Sequence, residues 1–189
     1  MAVEFQQGDT NASVCTIAQR CAANTVSAGI TAHKDAVVGG GTGITSTALS
    51  LPSSQTNRVQ LYFDCYGSGA FNIGAGTLPA KLTIDSVGAN PPLLDRIDVC
   101  HLDSACNVLA TLGSLTGLAS LLGIGTRTDN VTIAAAAIGA TDRIAVIYTM
   151  YNGSTMSAAT ATFVPDQRFV FQEATAVVRG TQLPMMGAG

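Results

Sequence analysis

Few residues in this chain are able to carry chemistry. It has two histidines, His33 and His101, so any Ser–His–Asp or Cys–His centre must use one of them. Cys100, His101 and Cys106 form the cluster that most resembles a set of metal ligands. Zinc sites space paired ligands about two to four residues apart. Cys100 and Cys106 are six apart, and neighbours on a strand point to opposite faces, so the spacing favours a half-buried, hydrogen-bonded His101 over a ligand. Asp95, Asp98 and Asp103 match no calcium loop, and Asp95 and Asp103 read as turn residues at the ends of a strand. Glu occurs only as Glu4 and Glu173, which leaves no Glu pair spaced for glycoside hydrolysis. Gly39-Gly40-Gly41-Thr42-Gly43 lacks the Lys-Ser/Thr ending of a phosphate loop and reads as a hinge. The expectation is a chain with no catalytic residue, no cofactor and no metal, hence not an enzyme.

Five cysteines are present, Cys15, Cys21, Cys65, Cys100 and Cys106. An odd number without a CxxC is a poor disulfide framework. The opening residues show no basic-then-apolar leader, so export by that route is not expected. The cysteines therefore read as reduced thiols packed as small apolar groups, with a local Cys15–Cys21 bridge as the alternative.

Composition narrows the function classes. Charged residues make up 11% of 189, against roughly 25% in an average globular chain, while hydrophobic residues reach 47%. Mean hydropathy is +0.35. The nine Lys and Arg are scattered and the net charge is −3, so no basic stripe exists for nucleic acid. Residues 106–125 and 144–165 carry no charge, but Gly, Ser and Thr interrupt the first and Asn152-Gly153-Ser154 the second. Neither reads as a membrane helix. A surface this poor in charge suits a protein covered by its neighbours.

The elements that must position these residues are strands. In Arg58–Tyr66, Val59, Leu61, Phe63 and Cys65 alternate with polar or aromatic residues, and period two puts them on one face. Leu82 and Ile84, then Val131 and Ile133, repeat the pattern. Turn signals fall at Gly67–Gly69, Gly88–Pro92, Asp103–Ala105 and Asn152-Gly153, the last reading as a hairpin turn. Thr132–Ala140 fits one helical turn closed by Gly139. A hairpin is expected from Ile97–Leu102 and Asn107–Leu112, with Leu102 facing Asn107. Both faces of that hairpin, and of Arg143–Tyr151, are then partly apolar and require a second cover, from the chain's own arms or another subunit. The expected fold is all-β, a single antiparallel β-sandwich of jelly-roll type with N- and C-terminal arms. Residues 1–55 form an arm and first strands, 56–165 the sandwich core, and 166–189 a C-terminal arm.

Rich in Ala, Gly, Ser and Thr, with few charges, a β core and the arms Met1–Asn24 and Val164–Gly189, the chain resembles bacteriophage virion structural proteins, in particular capsid decoration (cement) or minor capsid proteins. The resemblance implies a virion component, located in the virion, that binds the major capsid protein or other virion subunits and forms a homo-oligomer. Neither nucleic acid nor membrane is expected as a partner. The expected partner contacts are Val3, Phe5, Cys100, Leu109, Phe169, Phe171, Leu183, Met185 and Met186. The alternative is a receptor- or glycan-binding β-sandwich module of a phage fibre or surface adhesin. The scarcity of aromatics (Tyr62, Tyr66, Tyr148 and Tyr151 are the tyrosines) weakens it.

Overall fold

In a computed structural model, backbone is described for residues 2–7, 26–35, 47–51, 58–66, 70–154, 156–163 and 168–174, and side chains for 50–51, 70–154, 156–162 and 169–174. The described residues are all-β, with no helix. The strands are β1 (Ala2–Gln7), β2 (Val26–Asp35), β3 (Thr47–Leu51), β4 (Arg58–Tyr66), β5 (Phe71–Ile73), β6 (Gly76–Val87) and β7 (Leu93–Leu102). They continue as β8 (Val108–Leu121), β9 (Gly125–Ile133), β10 (Ala136–Ile138), β11 (Arg143–Tyr151), β12 (Ala159–Phe163) and β13 (Arg168–Gln172). A seven-stranded sheet runs β13-β1-β2-β4-β11-β7-β8, a four-stranded sheet runs β3-β12-β6-β9, and β10 pairs with β5.

Alternation shapes the smaller sheet. Leu78, Ala80, Leu82 and Ile84 of β6 are buried, while Pro79, Lys81 and Asp85 face outward. Opposite them on β9, Val131 and Ile133 turn inward. These side chains form one apolar cluster with Ile97 and Val99 of β7, Ile144, Val146, Tyr148 and Met150 of β11, and Phe169 and Phe171 of β13. The two larger sheets thus share a core. Tyr148 fixes their spacing, because its hydroxyl donates to the Lys81 carbonyl at 2.9 Å. Val59, Leu61 and Phe63, expected in the same core, have side chains outside the described residues.

β7 and β11 sit between other strands, and their runs are buried on both faces. Cys100, Leu102, Ala145 and Ile147 form a second, separate apolar cluster, with Cys106 and Val108 packed against it. These four are fully buried within the single chain, so no other subunit is required to cover them.

Several expectations are corrected. The pairing is not wholly antiparallel, since β2 runs parallel to β4. Parallel neighbours need a crossover, and here the intervening strand β3 lies in the other sheet. No helical turn occupies Thr132–Ala140, because Ala136–Ile138 pairs with Phe71–Ile73 and burial of Ile138 outweighs the helix preference of Ala. Asn152-Gly153 does not close a hairpin, since β11 and the next strand, β12, belong to different sheets. The C-terminal arm expected from residue 166 includes β13, which pairs with β1 from Ala2↔Gln172 to Gln6↔Arg168.

Candidate functional site

The polar side chains with specific partners gather on β7, β8 and their surroundings. Asp98 lies mid-strand on β7, opposite Ile147 of β11 and Ser114 of β8. Its Oδ1 accepts from Arg96 Nη2 at 2.7 Å and from the Ser114 hydroxyl at 2.5 Å. The side chain is 0% exposed, and Oδ2 has no hydrogen-bond partner. A buried carboxylate is tolerable only when paired, and the Arg96 guanidinium supplies the opposite charge. Arg96 and Asp98 are two residues apart on one strand and so share a face.

His101 stands opposite Ile144, which brings it beside Asp142 just ahead of β11. Its Nε2 lies 2.8 Å from Asp142 Oδ2. The Gly139 amide donates to the same carboxylate oxygen at 3.1 Å, and the Asp142 amide donates to the Gly139 carbonyl at 3.1 Å. The half-buried, hydrogen-bonded His101 expected from sequence is found. Its partner was not foreseen, because Asp142 is 41 residues away and only strand register brings the two together. A carboxylate bonded to one ring nitrogen fixes the orientation of the imidazole, an arrangement able to position a proton acceptor. No Ser, Thr or Cys side chain is bonded to this imidazole among the described residues.

The β7–β8 turn is a three-residue loop. The Cys106 amide donates to the Asp103 carbonyl at 3.0 Å, and the Asp103 amide to the Asn107 carbonyl at 2.9 Å. Cys106 takes φ 68°, the left-handed residue that such loops require. The Asp103 carboxylate caps the loop, accepting from the Asn107 amide at 2.8 Å and from Asn107 Nδ2 at 3.0 Å. These bonds, the side-chain one foremost, hold the Asp103 carboxyl below its ordinary range. The turn is where sequence placed it, but Leu102 faces Val108, not Asn107, and the register shifts again between Val99/Cys100 and Leu94/Arg96. Asp95, expected in a turn, sits within β7 at the last of these irregularities.

Cys106 is disulfide-bonded, which corrects the expectation of reduced thiols throughout. Cys100 is a fully buried thiol. Cys15 and Cys21 lie outside the described residues, as does Gly39–Gly43. Among the described residues, no three of His, Cys, Asp or Glu are grouped so as to hold a metal ion. No helix there is long and apolar enough to cross a membrane.

The expected contact residues scatter. Leu109 is 56% exposed on β8. Cys100, Phe169 and Phe171 are instead core residues with no surface to offer a partner, because β7 and β13 are built into the large sheet. Val3 and Phe5 lie on β1 opposite Phe171 and Phe169, but their side chains are outside the described residues, as are Leu183, Met185 and Met186. Sequence missed a second set of exposed apolar residues. Leu121 is 61%, Ile124 71% and Met156 92% exposed. They belong to one end of the large sheet: Leu121 pairs with Leu93, Leu93 pairs with Tyr151, and Ile124 and Met156 lie in the connections that follow Leu121 and Tyr151. The loop bearing Met156 is held by buried Asn152, whose Oδ1 accepts from Asn90 Nδ2 at 2.8 Å and the Ser154 amide at 2.8 Å. Asn152 Nδ2 donates to the Ser157 carbonyl at 2.7 Å.

No family model and no curated protein matches the chain. Its fold is shared with part of a CocE/NonD family hydrolase from Staphylococcus aureus. One crystal structure of that hydrolase superposes with a TM-score of 0.51 at 6% identity, over 92% of this chain and 37% of the hydrolase. Another gives a TM-score of 0.49 at 7% identity, over 75% and 34%. The chain therefore spans little more than a third of the hydrolase's length. This overturns the expectation that the chain is not an enzyme. That expectation leaned on the scarcity of His and Glu and on the cysteine spacing, whereas the fold itself is one that part of a hydrolase contains.

Proposed function

We propose that this chain is a β-sandwich of jelly-roll type that works by assembly, as a virion component of the decoration, cement or minor capsid class. Its partners are the major capsid protein or other virion subunits, and copies of itself. The supporting observation is the exposure of Leu121, Ile124 and Met156 at one end of the large sheet. The segments that carry them, 117–125 and 152–158, contain no charged residue. Apolar side chains grouped on a neutral surface mark a contact surface.

The test is sedimentation of the purified chain over a wide concentration range. Self-association that is lost in a Leu121→Ser, Ile124→Ser, Met156→Ser triple variant supports the reading. A chain that stays monomeric in both forms and does not bind virion particles defeats it.

A second reading is favoured by the fold shared with the hydrolase: the chain is a β domain of a hydrolase. His101 and Asp142 are then the residues to examine. Hydrolysis of a panel of activated esters that falls in His101→Gln supports this reading, and a rate equal to buffer alone removes it.

A further inference from the structure

We infer that Asn152 is a deamidation site gated by folding: the native loop protects it, and once the loop opens the change runs one way. The inference is independent of the assembly reading. Asn152 is the one asparagine of the chain that glycine follows. Glycine has no Cβ to shield its own nitrogen, so that nitrogen can attack the asparagine side chain. Both residues have a task in the fold. Asn152 is 0% exposed, and its carboxamide joins the loop to Asn90, Ser154 and Ser157. Asn90 Nδ2 also donates to the Ser157 carbonyl at 3.2 Å. A Cβ on Gly153 would meet Leu93 Cδ1 at 2.7 Å, so β7 stands where a side chain would go.

In the reaction the Gly153 backbone nitrogen bonds to Asn152 Cγ. The Cγ–Nδ2 bond breaks, and Nδ2 leaves as ammonia with the proton from the Gly153 amide. Water then opens the five-membered imide. Cleavage at Cγ leaves an aspartate, and cleavage at the main-chain carbonyl leaves an isoaspartyl link. The folded loop blocks both steps. Nδ2, the leaving nitrogen, is tied to the Ser157 carbonyl, Oδ1 is tied to Asn90 and the Ser154 amide, and burial keeps water away. Afterwards the loop cannot re-form. A carboxylate has no N–H for the Ser157 carbonyl, so two acceptors would face each other and a charge would be buried.

The test follows deamidation by peptide mass spectrometry in heavy-oxygen water at neutral pH. It compares the native full chain with the same chain in guanidinium chloride. Aspartyl and isoaspartyl products at Asn152 are expected in the unfolded chain, and about a hundredfold more slowly in the native one. The other asparagines in the same digest are the controls. Asn152→Asp should exchange its Ser154 and Met156 amide hydrogens fast, since the first loses its acceptor geometry and the second bonds only to the Ser154 hydroxyl within the same loop. Three results overturn the inference: equal rates in both states; no product at Asn152 in the unfolded chain; or wild-type protection of both amides in Asn152→Asp. The two rates are read on the wild-type chain, so they decide even where the variant does not fold.

Discussion

The hydroxyl of Tyr148 on β11 donates to the carbonyl of Lys81 on β6, and this bond joins the two larger sheets through their shared core. The ring fills the interior and the phenol satisfies a backbone acceptor there. Tyr148→Phe removes the bond and should cost about 1–2 kcal/mol. Tyr148→Ala also removes the ring and should cost about 3–5 kcal/mol. Urea unfolding monitored by circular dichroism separates the two, and near-equal losses would mean that the hydroxyl, not the ring, dominates.

Gly113 marks the close approach of β8 to β9. A Cβ there would meet the Thr132 carbonyl oxygen at 2.2 Å, and the Ala134 amide already donates to the Leu112 carbonyl at 2.8 Å. Backbone is the obstacle, so it cannot rotate away as a side chain would. Gly113→Ala should destabilise by about 1–3 kcal/mol. Gly76→Ala is the control, since nothing lies within 4 Å of its added Cβ. Thermal unfolding of the pair should show a loss at Gly113 only.

Asp98 is the buried charge of β7. Asp98→Ala leaves the Arg96 guanidinium and the Ser114 hydroxyl without their acceptor, and should cost about 3 kcal/mol or more. Asp98→Asn keeps an acceptor oxygen and the volume, so it should cost less. Adding Arg96→Met to Asp98→Ala should recover part of the loss, because the charge that Asp98 neutralised goes too. If the double variant loses the sum of both single losses, the two side chains do not act as a pair.

The Asp103 carboxyl is held low by the Asn107 side chain first and its amide second. A folded value below the unfolded one means that the carboxylate favours the fold above the ordinary aspartate range. That contribution fades as pH falls through the folded value. Asn107→Ala should raise the Asp103 titration midpoint toward the ordinary value, read by carboxyl carbon NMR. An unchanged midpoint would show that the backbone amide alone sets it.

The sequence by itself determined the all-β class, because period-two alternation at Leu82, Ile84, Val131 and Ile133 needs only local geometry to be read. It also placed the Asp103 turn and the half-buried His101. What sequence could not carry was anything set by pairing between distant segments. Asp142 beside His101 depends on the register Ile144↔His101, and Asp98 beside Ser114 depends on a ladder with three irregularities. Phe169 and Phe171 read as arm residues because nothing local distinguishes an anchoring strand from a buried one. Burial against β6 and β11 in a common core decided the matter. Likewise, Asn152-Gly153 has the chemistry of a tight turn, but a hairpin needs its two strands to be neighbours. The tertiary structure sends β12 to the other sheet, and the same asparagine becomes the buried pin of a loop.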